Sequence, residues 1–216
     1  VAPLGVQTRL VRAKDLGDTK LIVENDANQV KIEVNVVFRG SVLPVERRPL
    51  SAKTSDLFGV EFELPVLAPD ELYASKLVAA LDRQHPRDLF DVMQLFAHEG
   101  ITANIRRAFV VYLASHNRPV HEVLFPTLRD IGQEYERNFI GMTTEPVELA
   151  ALLTTRERMV QELQGGLDED ERNFLMSLVE GRPQWPLLGV AHLEQLPGMR
   201  WKLKNLSQLK QKNPKK

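Results

Sequence analysis

The sequence predicts an α+β protein, a short strand-rich part followed by a long helical part. Two observations carry that expectation. Before Pro69 apolar and polar residues alternate, the period of a half-buried strand; after it apolar residues recur every three or four positions, the period of a helix with one covered face. With 216 residues and 43% apolar content the chain can also bury a sizeable core.

In order along the chain, LIVE (21–24) and VKIEVNVVF (30–38), separated by the polar residues after Glu24, read as a hairpin. Val30, Ile32, Val34 and Val36 fall on one face of its second strand and Lys31, Glu33 and Asn35 on the other. VEFELPVL (60–67) alternates similarly and ends at prolines, which cannot donate into a ladder. The stretch between, GSVLPVERRPLSAKTSDLFG, reads as a long connection.

PDELYASKLVAALDR (69–83) is a helix with Asp70 and Glu71 in its first turn and Arg83 at its end, charges that suit the helix dipole. Leu72, Leu77, Ala80 and Leu81 form its apolar stripe. PRDLFDVMQLFAHEG (86–100) follows, opened by Pro86 and stopped by Gly100, with Leu89, Met93, Phe96 and Ala97 as its stripe. Further helical patterns cover 103–117, 121–142 and 145–164. The next, DEDERNFLMSLVEG, is capped by Asp168 with acids in its first turn. GRPQWPLLG breaks that helix and LPGMRWKLKNLSQL closes the pattern.

Composition excludes several functions. There is no cysteine, hence no disulfide, thiolate metal site or thiol nucleophile. The histidines form no H-x-x-x-H spacing, and no GxxxxGK[ST] phosphate loop exists. No apolar run reaches the roughly 20 residues of a membrane span, and the first residues lack a signal-peptide core, so a cytoplasmic protein is expected. A net charge of −1 gives no global field for nucleic acid.

The charge is uneven, however. From Arg200 onward there are Lys202, Lys204, Lys210, Lys212, Lys215 and Lys216 and no acid, read either as a solvated tail or as a phosphate-contacting surface. Trp185 and Trp201, flanked by apolar residues, are read as anchors on the core. Arg106, Arg107 and Arg118 are candidates for lining an RNA groove.

Charges within residues 67–96 raise the functional question. Lys76 projects beside the apolar stripe of its helix. In the next helix Asp88 and Asp91 are three apart and share a face, while Arg87 and Asp91 are four apart and suited to pairing. One account is a surface ion pair and a snorkelling lysine. The other is a lysine and carboxylates meeting at a helix junction to handle phosphate and a divalent cation.

ELYASKLVAALDRQHPRDLFDVMQL resembles the lysine-to-RDxxD block of the AbiEii-type nucleotidyltransferases, toxins of type IV toxin–antitoxin and abortive-infection systems. RNFLMSLVEGRPQWPLLGVAHLEQLPGMRWKLKNLSQL resembles the family's closing segment, with its LPxxxWKLxNL ending. The resemblance implies a polymerase β-like nucleotidyltransferase domain with a small mixed sheet, then a helical domain completing a nucleotide cleft. The expected division is 1–68 for the strand-rich part, 69–199 for the helical part and 200–216 for a basic C-terminal segment.

It also implies transfer of a nucleotide from a nucleoside triphosphate to RNA, expected to be tRNA, with magnesium, under control of a cognate antitoxin. Lys76 matches the triphosphate-contacting lysine; Asp88 and Asp91 match the acids of RDxxD, with Asp91 favoured as the catalytic one. Arg87 is a candidate nucleotide contact, and Glu33 matches a third, metal-binding carboxylate on a strand. The family's GG[ST] segment and D-x-D pair have no counterpart before Glu33. With Val1 so close to a strand, the domain is expected to be incomplete at its N-terminus and the chain inactive, or else a non-catalytic binding remnant of the same fold.

Overall fold

The computed structural model describes residues 5–13, 17–33 and 39–212, so Val34, Asn35, Val36, Lys215 and Lys216 lie outside the described residues. The chain divides into two compact units, residues 1–38 and 39–216, an earlier division than the boundary at 68 that the residue pattern suggested. The α+β class stands, with small antiparallel sheets and many helices.

The first unit holds three antiparallel strands in the order β1 (Gln7–Ala13), β2 (Gly17–Glu24) and β3 (Gln29–Glu33). The expected hairpin joins β2 to β3: Asn25 Oδ1 accepts from the amides of Ala27 and Asn28 at 3.0 and 2.8 Å, holding the turn. The register aligns Leu10, Leu21 and Ile32 in one row and Val23 with Val30 in the next, so one face is apolar. That face is not half-buried as expected: Val30 and Ile32 are 57% and 48% exposed. A single sheet buries a face only against another layer, and no helix belongs to this unit among its described residues.

The second unit opens with a two-stranded antiparallel sheet, β4 (Glu46–Pro49) and β5 (Glu63–Val66), with α1 (Ala52–Phe58) between its strands. Alternation predicts a strand over 60–67, longer than β5, and the residue pattern marks β4 and α1 only as connection. Their signals are local: Ser51 caps α1 by accepting from the Thr54 amide, and Gly59 ends it in the left-handed region at φ 62°. No residue of α1 is buried.

The core lies in the helices. α2 (Pro69–Arg83) packs on α3 (Pro86–His98) and on α4 (Ala103–Ala114), and α3 packs on α7 (Leu149–Gly166). Leu77, Leu81, Leu89, Leu95, Phe109, Leu113, Leu152, Met159 and Phe174 are fully enclosed. The bounds of α2 match the expectation, but one stripe member does not: Leu72 is 43% exposed. In α3, Val92 and Leu95 are buried where Met93 and Ala97 had been expected to be. The short helices α5 (Val120–Leu124) and α6 (Gly132–Asn138) follow α4, and α8 (Glu169–Val179) carries the expected cap, a capping box between Asp168 and Glu171.

Glu71, read from the sequence as a dipole partner, is wholly buried. Its Oε1 accepts from the Val42 amide at 2.7 Å and the Tyr112 hydroxyl at 2.8 Å; its Oε2 accepts from the Leu43 amide at 2.9 Å and lies 3.1 Å from the Ser41 hydroxyl, whose one proton it shares with the Leu43 carbonyl at 2.6 Å. A buried carboxylate without such donors would be costly, so these bonds are the condition for its burial. They tie the segment 41–43 to α2 and α4. Burial and the neighbouring Glu71 raise the Tyr112 pKa above its ordinary value.

The C-terminal segment is not a frayed tail over its described length. α9 (Pro197–Lys212) is docked through buried Gly198, Met199 and Lys202, so the expected boundary at 200 falls inside a helix. Lys202 Nζ donates to the carbonyls of His116 and Arg118, both at 2.8 Å, and Arg39 donates to the Ser115 carbonyl at 3.1 Å. Two cations thus satisfy carbonyls just beyond the end of α4, where helices leave acceptors unpaired. Burial, reinforced by Arg39, lowers the Lys202 pKa. Gly198 allows the approach: a Cβ there would lie 3.0 Å from Ser115 Cβ and 3.2 Å from the Arg39 carbonyl oxygen.

Tyr112→Phe removes one bond of the Glu71 cluster and lowers stability by about 1 kcal/mol in urea unfolding, while Glu71→Gln, which sets an amide donor against backbone donors, costs roughly 2–4 kcal/mol. Lys202→Met strands the buried His116 carbonyl and the part-buried Arg118 carbonyl and costs roughly 2–3 kcal/mol in the same measurement.

Candidate nucleotide-handling site

The site is built by the turn between α2 and α3. Gln84 ends α2 at φ 52°, in the left-handed region, and is buried. Its side chain repays that conformation: Nε2 donates to the Thr127 carbonyl at 2.8 Å, and Oε1 accepts from the Arg129 amide at 3.0 Å and from Arg156 at 3.2 Å. His85 caps α3, its Nδ1 accepting from the Arg87 amide at 3.1 Å, and Pro86 takes the first helical position. So short a connection forces the two helices to run back alongside each other.

Across the pair lie two rungs of charge. Nearest the turn, Arg83 meets Asp88 at 2.6 Å. One rung further, Lys76 Nζ meets Asp91 Oδ2 at 2.5 Å, with the two side chains 34% and 36% exposed. Lys76 and Asp91 are therefore brought together, desolvated enough to hold a defined geometry and open enough for a ligand to reach.

The other sequence candidates are placed differently. The expected Arg87–Asp91 pair does not form: Arg87 Nε donates to the Asn138 carbonyl at 3.2 Å, while Asp91 turns to the lysine across the helix junction. An arginine preceding its acid by one turn is the less favourable orientation for such a pair, so the cross-helix partner prevails. Asp88 Oδ1 is taken by Arg83, and its Oδ2 is buried without a hydrogen-bond partner among the described residues. Glu33, in the first unit, is bound at 2.9 Å by Lys20 and at 3.1 Å by Lys31, and hydrogen bonds from these two lysines hold its carboxyl below its ordinary pKa.

Among the described residues no three histidine or acidic side chains come together as a metal site. Asp91 alone stands at the lysine, so these residues do not by themselves fit a complete magnesium site.

Of the candidate RNA-groove arginines, Arg107 is exposed on α4 and the other two are spoken for. Arg106 is held by Glu171 at 2.7 Å and Asp168 at 3.3 Å. Arg118 is held by Asp82 at 2.7 Å and Glu122 at 3.2 Å, which neutralises it at the wall of a cleft of about 540 Å³ beside Gln84 and Phe125. Trp185 lies against Phe174, ring centroids 6.0 Å apart, as an anchor should. Trp201 does not: it is 47% exposed, because the buried contacts of α9 run through Met199 and Lys202 and turn the tryptophan outward.

Sequence reasoning missed Glu71, Gln84 and Lys202. Glu71 was detectable, since positions 71, 74, 78 and 81 form one helical face that is otherwise apolar. Gln84 and Lys202 act on carbonyls distant in sequence, which no local pattern reveals.

No curated protein sequence matches this chain. In structure it is similar to MenT4, a nucleotidyltransferase toxin from Mycobacterium tuberculosis H37Rv, with a TM-score of 0.59 at 20% identity over 94% of this chain and 68% of that one. At that identity the likeness speaks for the fold. The model of the family described as nucleotidyl transferase AbiEii toxin, type IV TA system, matches residues 6–205. The chain, with its Lys76–Asp91 pair set on a helical hairpin, belongs to the AbiEii nucleotidyltransferase toxin family.

Proposed function

We propose that Lys76 and Asp91 form the helical half of a nucleoside triphosphate site, serving transfer of a nucleotide to an RNA acceptor of the tRNA class. The observation that carries the reading is the part-exposed 2.5 Å pair in a chain of a nucleotidyltransferase family. Lys76 offers a compact positive charge to triphosphate oxygens. Asp91 holds that charge in place before the nucleotide arrives, and the incoming anion then competes for the same Nζ. Glu33 is retained as a candidate metal-binding carboxylate, and Asp88 and Arg87 as flanking groups rather than direct contacts.

Magnesium would stabilise the negative charge that develops as the acceptor hydroxyl attacks the α-phosphate and pyrophosphate leaves. The described residues supply too few carboxylates to assign any step to the ion. An antitoxin partner accords with the type IV toxin–antitoxin family. A cytoplasmic setting accords with the described helices, none of which is long and apolar enough to cross a membrane.

A second reading, a non-catalytic nucleotide- or protein-binding member of the fold, is favoured by one observation: among the described residues no three histidine or acidic side chains come together as a metal site. On either reading this chain alone does not transfer a nucleotide. Labelled nucleoside triphosphates, magnesium and bulk tRNA are expected to yield no labelled RNA, and robust transfer would contradict this.

Equilibrium binding tests the lysine's part in the site. On the first, Lys76→Met weakens nucleoside triphosphate binding about tenfold to a hundredfold, the worth of a charge-assisted contact, while stability changes by less than about 1 kcal/mol. Equal affinity in the wild type and the variant, or no binding in either, removes the lysine from the site.

A further inference from the structure

We propose that the outward face of α9 is a contact surface for single-stranded RNA, with Trp201 as a base-stacking platform and Arg200, Lys204 and Lys212 as phosphate contacts. The inference rests on the reading that the acceptor is RNA, and adds where on this chain that RNA is held.

The register of α9 is fixed by what it buries. Gly198, Met199 and Lys202 are enclosed and Leu203 and Leu206 half-enclosed, so Trp201, Lys204, Gln208 and Lys212, at helical spacing, are turned to solvent. These residues span about 16 Å along the helix axis. Arg200 flanks them and is exposed.

Three features select the ligand. The first is charge: Pro197–Lys212 contains no aspartate or glutamate, and the sequence stays acid-free to its last residue. Of the other candidate cations, Arg106 and Arg118 are paired with acids, while Arg107 is exposed on α4. Unneutralised charge concentrated on one helix face complements a polyanion. The second is Trp201, 47% exposed where Trp185 is packed on Phe174. A large aromatic set among lysines offers a flat apolar face edged by charge, the combination that stacks a base and holds its phosphate. The third is the side-chain amide of Gln208, able to donate and accept at a base edge.

Stacking on Trp201 requires a base outside a duplex, hence a single strand. An acidic protein partner is the competing occupant, and it would draw on Leu209, which is 53% exposed on the flank of the same helix.

The test uses the full chain. The sequence has two tryptophans, so Trp185→Phe leaves Trp201 as the sole indole reporter. Titration with a single-stranded RNA oligonucleotide is expected to quench its fluorescence saturably, and duplex RNA, DNA of the same sequence and polyglutamate to quench it less. Fluorescence anisotropy of labelled RNA gives an independent measure: Trp201→Ala weakens binding about fivefold to a hundredfold. Changing Arg200, Lys204 and Lys212 together to Gln lowers the slope of log Kd against log salt by about 2.

RNA binding that survives Trp201→Ala unchanged overturns this surface and leaves the RNA-acceptor reading standing. No RNA binding by the wild-type chain overturns that reading along with it. Equal quenching by DNA removes the RNA assignment, and equal quenching by polyglutamate reassigns the face to an acidic protein.

Discussion

The helical unit is organised around one buried carboxylate. Glu71 is fully enclosed, and its donors come from the segment 41–43 and from Tyr112 of α4. Each donor lost from this enclosed carboxylate costs stability, so the entry segment, α2 and α4 are held to one another. Lys76 lies five positions along the same helix, so the clamp also fixes where the lysine stands. The Gln84 turn then sets α3 against α2, and Asp91 meets the lysine as a consequence of two buried polar anchors rather than of the pair's own weak attraction.

The same logic sorts the charges. Three arginines at helix junctions are neutralised by acids, Arg83 by Asp88, Arg106 by Glu171 and Arg118 by Asp82, while Arg87 and Arg156 are spent on carbonyl and amide oxygens. Lys202 is buried as a plug for two carbonyls, which gives the WKL part of the closing motif a structural task. Among the cations left open to ligands are the half-exposed Lys76 of the Lys76–Asp91 pair and those on the acid-free outer face of α9. Position in the fold, more than residue type, separates the cations that build the molecule from those left for ligands.

Much of this was legible in the sequence where structure is local. The bounds of α2, the proline start of α3 and the cap of α8 follow from signals within one turn, and they appear where the residues placed them. Non-local outcomes were not legible. Alternation in the first strands marked an apolar face correctly, but whether Val30 and Ile32 are covered depends on a second layer. Spacing allowed Arg87 to pair with Asp91, and the nearer carbonyl of Asn138 and the lysine across the junction decided otherwise. Lysine and aspartate were singled out by resemblance and then found in contact, whereas Glu33 lies in a separate unit, bound to two lysines of its own sheet.

The central claim is that Lys76 and Asp91 are a nucleotide-handling pair and not a surface ion pair. A crystal structure of the chain with a non-hydrolysable nucleoside triphosphate and magnesium tests it most directly. The account predicts a triphosphate oxygen within about 3 Å of Lys76 Nζ, in place of Asp91 Oδ2. A nucleotide bound elsewhere, with the lysine still on Asp91 at 2.5 Å, would contradict it.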